Sequence, residues 1–333
     1  MNKVSSFRRL VLTAFLVVLS TFAAAPASAQ IIAPTPNQSL EKIEMVLDWK
    51  ALPTYAGFYL ARELGAFERR GLDVSFTEVQ GATPAAELVG KGDKFWIGSS
   101  SGAATAIGRS KGLPIKSLAV YYHKTPSAIF TRSEDHIAHP RDLYGKTVGL
   151  VKGSITNEEF RAMMALNRID PAKINIVTVD WDPWALLEKK VDALIDYEEM
   201  TPAEMFSEGR RILVIRLSDF GVRTYSLNLI VNDAAWASPD KRAKAQRIVE
   251  AVQEGYSLVQ ERPADAALRF QNLFPRMSPN FVNRSMAAVS QQLNPPPVGG
   301  QTRAGWEETI RTLSTLGLLA KPVTADEVAI FEP

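Results

Sequence analysis

Between residues 42 and 231 short apolar runs of strand length alternate with helical stretches, in two successive series. That alternation leaves few architectures open, because βα repeats build largely parallel sheets with helices on both faces. The first series has a strand over Ile43, Met45 and Leu47, then strands at Leu72–Thr77, Phe95–Gly98 and Ile115–Tyr121. Helices are predicted over Tyr55–Leu64, Pro84–Val89 and Ser101–Ser110. A β-rich run at Ser127–Thr131 opens the second series, with strands at Thr147–Val151, Ile174–Val179, Val191–Tyr197 and Ile212–Ile215. Its helices are Ile155–Asn167 and one entered through Asp182-Pro183, an N-cap followed by proline at the first helical position. Leu227–Val231 returns as an apolar strand. Beyond Ser238 the chain reads as helices, broken by Pro295-Pro296-Pro297 and Gly299-Gly300. The order implies an α/β fold of two lobes, the second inserted into the first. Lobe one takes 42–127 and 225–333, including the C-terminal helices; lobe two takes 128–224. Crossings near 127–131 and 224–231 would form a hinge, an arrangement suited to closure around a ligand.

The ligand end of such a fold lies at the carboxyl ends of the strands. Leu47–Ala61 (LDWKALPTYAGFYLA) places residues there: a strand ends, Pro53 breaks the chain, and a helix follows. Asp48, Trp49 and Tyr55 would sit at the mouth, although the two aromatics also suit a core.

Residues 1–29 have the make-up of a secretory signal peptide. Lys3, Arg8 and Arg9 precede the apolar run Leu10–Ala24, and Ala27-Ser28-Ala29 is a small-residue cleavage site. Residues 30–41 read as a tether. Removing 1–29 takes three of the 38 basic residues and no acid, so 35 bases face 36 acids and the net charge is −1. That balance argues against nucleic acid or an anionic membrane as partner. No cysteine exists to carry a lipid anchor or a disulfide. The mature chain is expected to be soluble, monomeric and free in a periplasm. With no cysteine and only His123, His136 and His139, no metal and no cofactor are expected.

Six pieces, in order, resemble a known family: Leu47-Asp48-Trp49, Tyr55–Ala61, Gly65–Val74, Gly98–Ser101, Gly145–Leu150 and Val191–Tyr197. The family is that of periplasmic substrate-binding proteins of ABC transporters, in the branch holding thiamine-pyrimidine-precursor, riboflavin and nitrate or sulfonate binders. The resemblance covers roughly residues 42–260 and implies the type II two-lobed binding-protein fold, an importer permease with its ATPase as partner, and no catalysis. It also implies that Trp49 and Tyr55 lie against a flat ligand and that Tyr197 faces it from lobe two. Relatives often follow that tyrosine with Asn and Glu; here Met200 and Thr201 stand instead.

Other candidates follow from residue chemistry. Ser99 and Ser100 before one helix, and Ser154 before another, would let two helix amino ends hold an anion or a carbonyl, or would simply cap. Asp48, Asp196, Glu198 and Glu199 could accept paired hydrogen bonds from an amino group and an adjacent ring N–H, as an aminopyrimidine offers, or Glu198 and Glu199 would be solvated helix-cap acids. Trp181 could close a sandwich from lobe two, or anchor packing. His123 is expected to face solvent. Lys50 and Lys152 are the only bases at predicted strand ends, so a heteroaromatic is favoured over a sulfonate, nitrate or aromatic carboxylate. A periplasmic sensor, or an enzyme like a pyrimidine-making eukaryotic branch, are the other readings. That branch relies on histidine and cysteine-rich features, and this chain has no cysteine.

Overall fold

The computed structural model describes residues 39–151, 154–180, 184–207, 209–293 and 297–331. The expected signal segment, most of the tether, Trp181, the Asp182-Pro183 helix start and Pro295-Pro296 lie outside the described residues.

The first strand, β1 (Glu41–Leu47), alternates at its start and is wholly buried at Met45–Leu47, where the sheet is covered on both faces. A 3-10 turn at Pro53–Tyr55 leads into α1 (Ala56–Glu63). Gly71, with φ 74°, makes the left-handed turn into β2 (Leu72–Glu78), which pairs parallel with β1 from Glu41↔Leu72 to Leu47↔Glu78. Then come α2 (Ala82–Lys91), β3 (Ile97–Ser101), α3 (Gly102–Ser110) and β4 (Ile115–Val120). The chain crosses and continues as β5 (Ser127–Arg132), β6 (Thr147–Val151), α4 (Thr156–Leu166), β7 (Asn175–Val179), α5 (Trp184–Leu187), β8 (Ala193–Tyr197), α6 (Thr201–Ser207) and β9 (Ile212–Arg216). It crosses back into β10 (Leu227–Asn232). Six helices follow: α7 (Asp233–Ala237), α8 (Pro239–Glu261), α9 (Pro263–Leu273), α10 (Pro279–Gln292), α11 (Arg303–Thr315) and α12 (Ala325–Val328).

Two five-stranded sheets result, ordered β2-β1-β3-β10-β4 and β7-β6-β8-β5-β9. Each contains one antiparallel strand, β10 in the first and β5 in the second. These are the two strands that enter directly from a crossing. The parallel strands deliver their carboxyl ends to the side where the sheets meet, so a strand arriving from that side runs the other way.

The C-terminal helices pack on the first sheet: residues of α8, α9 and α10 share one apolar cluster with β1, α1 and β10. Helices α1 and α8 cross at glycines. A Cβ on Gly255 would stand 2.0 Å from the Gly57 carbonyl oxygen, so neither backbone could approach the other if a side chain intervened. The second sheet has its own cluster, around Phe160, Met163, Leu150 and Ile195. Among the described residues no helix is long and apolar enough to cross a membrane.

One predicted strand is displaced. Phe95–Gly98 was expected, and β3 runs over Ile97–Ser101, taking in all three serines as fully buried strand residues. A serine's small side chain fits between two covered faces when its hydroxyl finds a local acceptor.

Candidate functional site

A cavity with about 530 Å³ of atom-free space, its open mouth included, lies where the two sheets face each other. Asp48, Trp49, Leu52, Thr54, Tyr55, Gly81 and Ala82 line it from the first sheet's side; Val151, Ser154, Ile155, Asp196, Tyr197 and Met200 line it from the second.

Asp48 follows the last residue of β1 and is buried. Its carboxylate accepts from the Ser99 hydroxyl and interacts with the Tyr55 hydroxyl, and its backbone N–H donates to Ser99 Oγ at 3.0 Å. Burial pushes its pKa above the usual carboxylate range, and the hydrogen bond from Ser99 opposes that. Tyr55 is pushed well above the ordinary phenol value by burial and then by the Asp48 charge. Trp49 is half-buried, packed along one side on the first sheet's core. From the opposite wall Asp196, also buried, accepts from Thr201 Oγ1 at 2.9 Å. Tyr197 is raised well above the ordinary phenol range, by burial first and by the Glu159 charge next.

Behind Thr54 lies a further carboxyl. Glu199 is fully buried and accepts from Thr54 Oγ1 at 3.1 Å, while the Tyr122 hydroxyl lies against it. Burial pushes Glu199 up to about 8. The Thr54 carbonyl is itself held by the Tyr256 hydroxyl at 2.8 Å, which ties this part of the wall to α8.

Among the described lining residues there is no lysine, arginine or histidine. The wall therefore offers two carboxylates and three aromatic rings, with hydroxyls between them. Two helix amino ends also reach it, Gly81–Ala82 of α2 and Ser154–Ile155 before α4.

The family model described as NMT1/THI5 like matches residues 52–266, more than half of the chain. The chain belongs to the NMT1/THI5 like family. The resemblance read from the sequence is thereby shown. Among curated relatives of this NMT1/THI5 like chain is the formylaminopyrimidine-binding protein of Halalkalibacterium halodurans, 25% identical over 90% of this chain and 93% of that protein. Another is a 4-amino-5-hydroxymethyl-2-methylpyrimidine phosphate synthase of Uromyces fabae, 23% identical over 77% of this chain and 79% of that protein. Among solved structures, the periplasmic aliphatic sulphonate binding protein SsuA from Escherichia coli superposes with a TM-score of 0.66 at 15% identity, over 87% of this chain and 97% of that one. That likeness shows the fold, an α/β periplasmic-binding-protein fold with two sheets.

Of the site residues read from the sequence of this NMT1/THI5 like chain, Asp48, Trp49, Tyr55, Ser154 and Tyr197 come together in the cavity wall. Ser99 and Ser100 do not line it. Ser99 stands behind Asp48, and Ser100 donates to the Ala82 carbonyl at 3.1 Å. The helix amino end on that side belongs to α2, not to α3, because Ser101 already caps α3 by accepting from Ala104 N–H at 3.0 Å. Glu198 points away, since neighbouring residues at a strand end face opposite sides. It accepts from Arg216 Nε at 2.5 Å and from Gln292, beside a second cavity lined by Lys124, Phe206 and Arg284. Trp181, Lys152 and Gly153 lie outside the described residues. His123 is half-buried rather than solvent-facing: its Nε2 is 2.5 Å from the Gly300 carbonyl oxygen, and its ring tilts against Tyr225. Thr54, Gly81 and Met200 were missed as wall residues. Gly81 carries the one legible signal, a glycine before a helix, and its φ of 120° is open to few other residues.

Proposed function

We propose that this protein captures a small neutral or weakly basic heteroaromatic of the aminopyrimidine kind and delivers it, chemically unchanged, to an ABC importer. The observation that carries this reading is the chemistry of the wall: Asp48 and Asp196 supply acceptors, Trp49, Tyr55 and Tyr197 supply ring faces, and the described lining residues supply no cation. Among the described lining residues a sulfonate or nitrate finds no counter-charge, whereas an amino group beside a ring nitrogen finds a carboxylate. The formylaminopyrimidine binder among the relatives supports the ligand class. We place the protein in the periplasm as a monomer, the state in which one protein hands one ligand to a permease.

Titration calorimetry with 4-amino-5-hydroxymethyl-2-methylpyrimidine and, separately, an alkanesulfonate tests the reading. Binding of the pyrimidine and recovery of its unaltered mass after incubation are expected. Saturable binding of the sulfonate with none of the pyrimidine would move the assignment to an anion carrier, and an altered mass would move it to the synthase-like side of the family.

Two further outcomes follow from the geometry. Ligand contact with both halves should favour the closed arrangement, so the radius of gyration from small-angle scattering should fall at saturation; an unchanged value would count against closure. Trp49→Ala should weaken pyrimidine binding by about 1–2 kcal/mol, within the range for a base stacked on an aromatic ring. Because Trp49 is only half-buried, its melting temperature should change little. A large drop in melting temperature with unchanged affinity would make Trp49 a packing residue.

A further inference from the structure

Both connections between the sheets meet one side chain. Glu159, in the first turn of α4, is buried, and its Oε2 accepts from Thr125 Oγ1 at 2.6 Å and from Ser127 Oγ at 2.5 Å. Thr125 lies in the β4-to-β5 crossing, and Ser127 is the first residue of β5, where that crossing ends. Glu159 Oε1 accepts from Thr224 Oγ1 at 2.8 Å, and Thr224 belongs to the return crossing into β10. No ligand-cavity residue is among these three donors. Three hydroxyls from two chain segments distant in sequence thus converge on a carboxylate carried by a third.

The same carboxylate is one step from the cavity wall on two routes. Ser154 and Ile155, which line the cavity, lead directly into α4. Tyr197, also in the wall, is the strand partner of Ser127, and its hydroxyl interacts with Ser226 of the return crossing. Among the described residues the groups facing Glu159 are these hydroxyls, Glu158 on its own helix and Tyr197, none of them a cation. Its hydrogen bonds, not an ion pair, hold it in place, and burial raises its pKa while the hydroxyl donors oppose the rise.

We infer that Glu159 is the positioning residue of the hinge, a single side chain that fastens the ligand-facing start of α4 to both crossings and so makes them turn as one. Rotation at either crossing that carried its hydroxyl away would leave a buried carboxyl short of a donor, so the angle between the halves is set at Glu159. The geometry stands independently of which ligand is bound; its functional consequence rests on the closure proposed above.

The absence of cysteine allows a direct test without ligand. Spin labels on Glu87→Cys and Ala172→Cys, exposed positions on α2 and on the turn before β7, report the separation of the halves by pulsed electron resonance. The unlabelled background is then changed to Glu159→Leu, Glu159→Gln or Thr224→Val. The parent and Glu159→Gln should give one distance, because the amide keeps an acceptor for Thr224 and the other hydroxyls can turn to accept from it. Glu159→Leu should add a second, longer population, and Thr224→Val should do so to a smaller extent. A side chain that only stabilised the fold would lower the melting temperature and leave the distance unchanged; that result in Glu159→Leu overturns the inference. Should Glu159→Leu not fold, Thr224→Val decides, and an unaltered distribution there overturns it equally. Pyrimidine affinity plays no part in these readouts, so failure of the ligand assignment would be seen separately.

Discussion

Between pH 5 and pH 8 the folded protein should lose on the order of 3 kcal/mol of stability through Glu199, and Glu199→Gln should remove that share of the slope. Glu199 is fully buried, and desolvation lifts it from an ordinary 4.5 up to about 8, more than the Thr54 hydroxyl and its own backbone can offset. In the unfolded chain the same carboxyl releases its proton near the ordinary value. Below that value both states hold the proton and the folded state bears no penalty. As the pH rises through the interval the unfolded state deprotonates first, so it is favoured progressively, and above about 8 the folded state too must carry a buried charge. Stability from this group is therefore fully present at low pH and lost as pH rises. Glutamine keeps the shape, keeps an acceptor for Thr54, and does not titrate. Asp48 and Glu159 are shifted in the same direction, so a residual slope of the same sign should remain in the variant. Urea unfolding at pH 5, 6, 7 and 8 measures both proteins; parallel curves would show that Glu199 is ionised in the folded state at neutral pH.

The sequence made the architecture readable because alternation and break signals act locally. The strand of Ile43, Met45 and Leu47, the Pro53 break and the helix after it appear in the structure as β1, the 3-10 turn and α1. Where polar residues serve as interior, the same signals mislead. Ser99–Ser101 read as a helix-capping loop because serine usually caps; Ser101 does cap α3, but all three lie in β3, where the Ser99 hydroxyl holds Asp48 and the Ser100 hydroxyl holds the Ala82 carbonyl. Facing direction was the other gap. Tyr197, Glu198 and Glu199 are consecutive, and the sequence offers them as equals. The strand end sends Tyr197 to the cavity, Glu198 to Arg216 and Gln292 on the other side, and Glu199 into the interior beneath Thr54. Glu159 gave no signal at all, since an acid in the first turn of an amphipathic helix reads as a solvated face. Its three hydroxyl partners come from crossings 32 to 65 residues away.

Asp48→Asn should weaken pyrimidine binding by about 30- to 150-fold, equal to the ~2–3 kcal/mol upper part of the range for a hydrogen bond to a charged group. Two carboxylates are among the described lining residues, and their settings differ. Asp196 is held through Thr201 on its own half. Asp48 stands beside Trp49 and is oriented by Ser99 from β3 and Tyr55 from the 3-10 turn before α1, so a ring stacked on Trp49 brings its amino edge to Asp48. The amide loses the charge and also presents an NH₂ group to two hydroxyls that now point their protons at the carboxylate, or to the ligand's amino group. The hydroxyls can rotate to accept, which keeps the fold; the ligand's amino group cannot. Asp196→Asn serves as the control, with a smaller loss expected because it lines the cavity from the half opposite Trp49. Calorimetry on both variants, with melting temperatures on the same samples, separates binding from folding. If Asp196→Asn loses affinity and Asp48→Asn does not, the ligand is turned over in the cavity with its amino edge on the second half, and Ser99 and Tyr55 serve only to keep a buried acid in place.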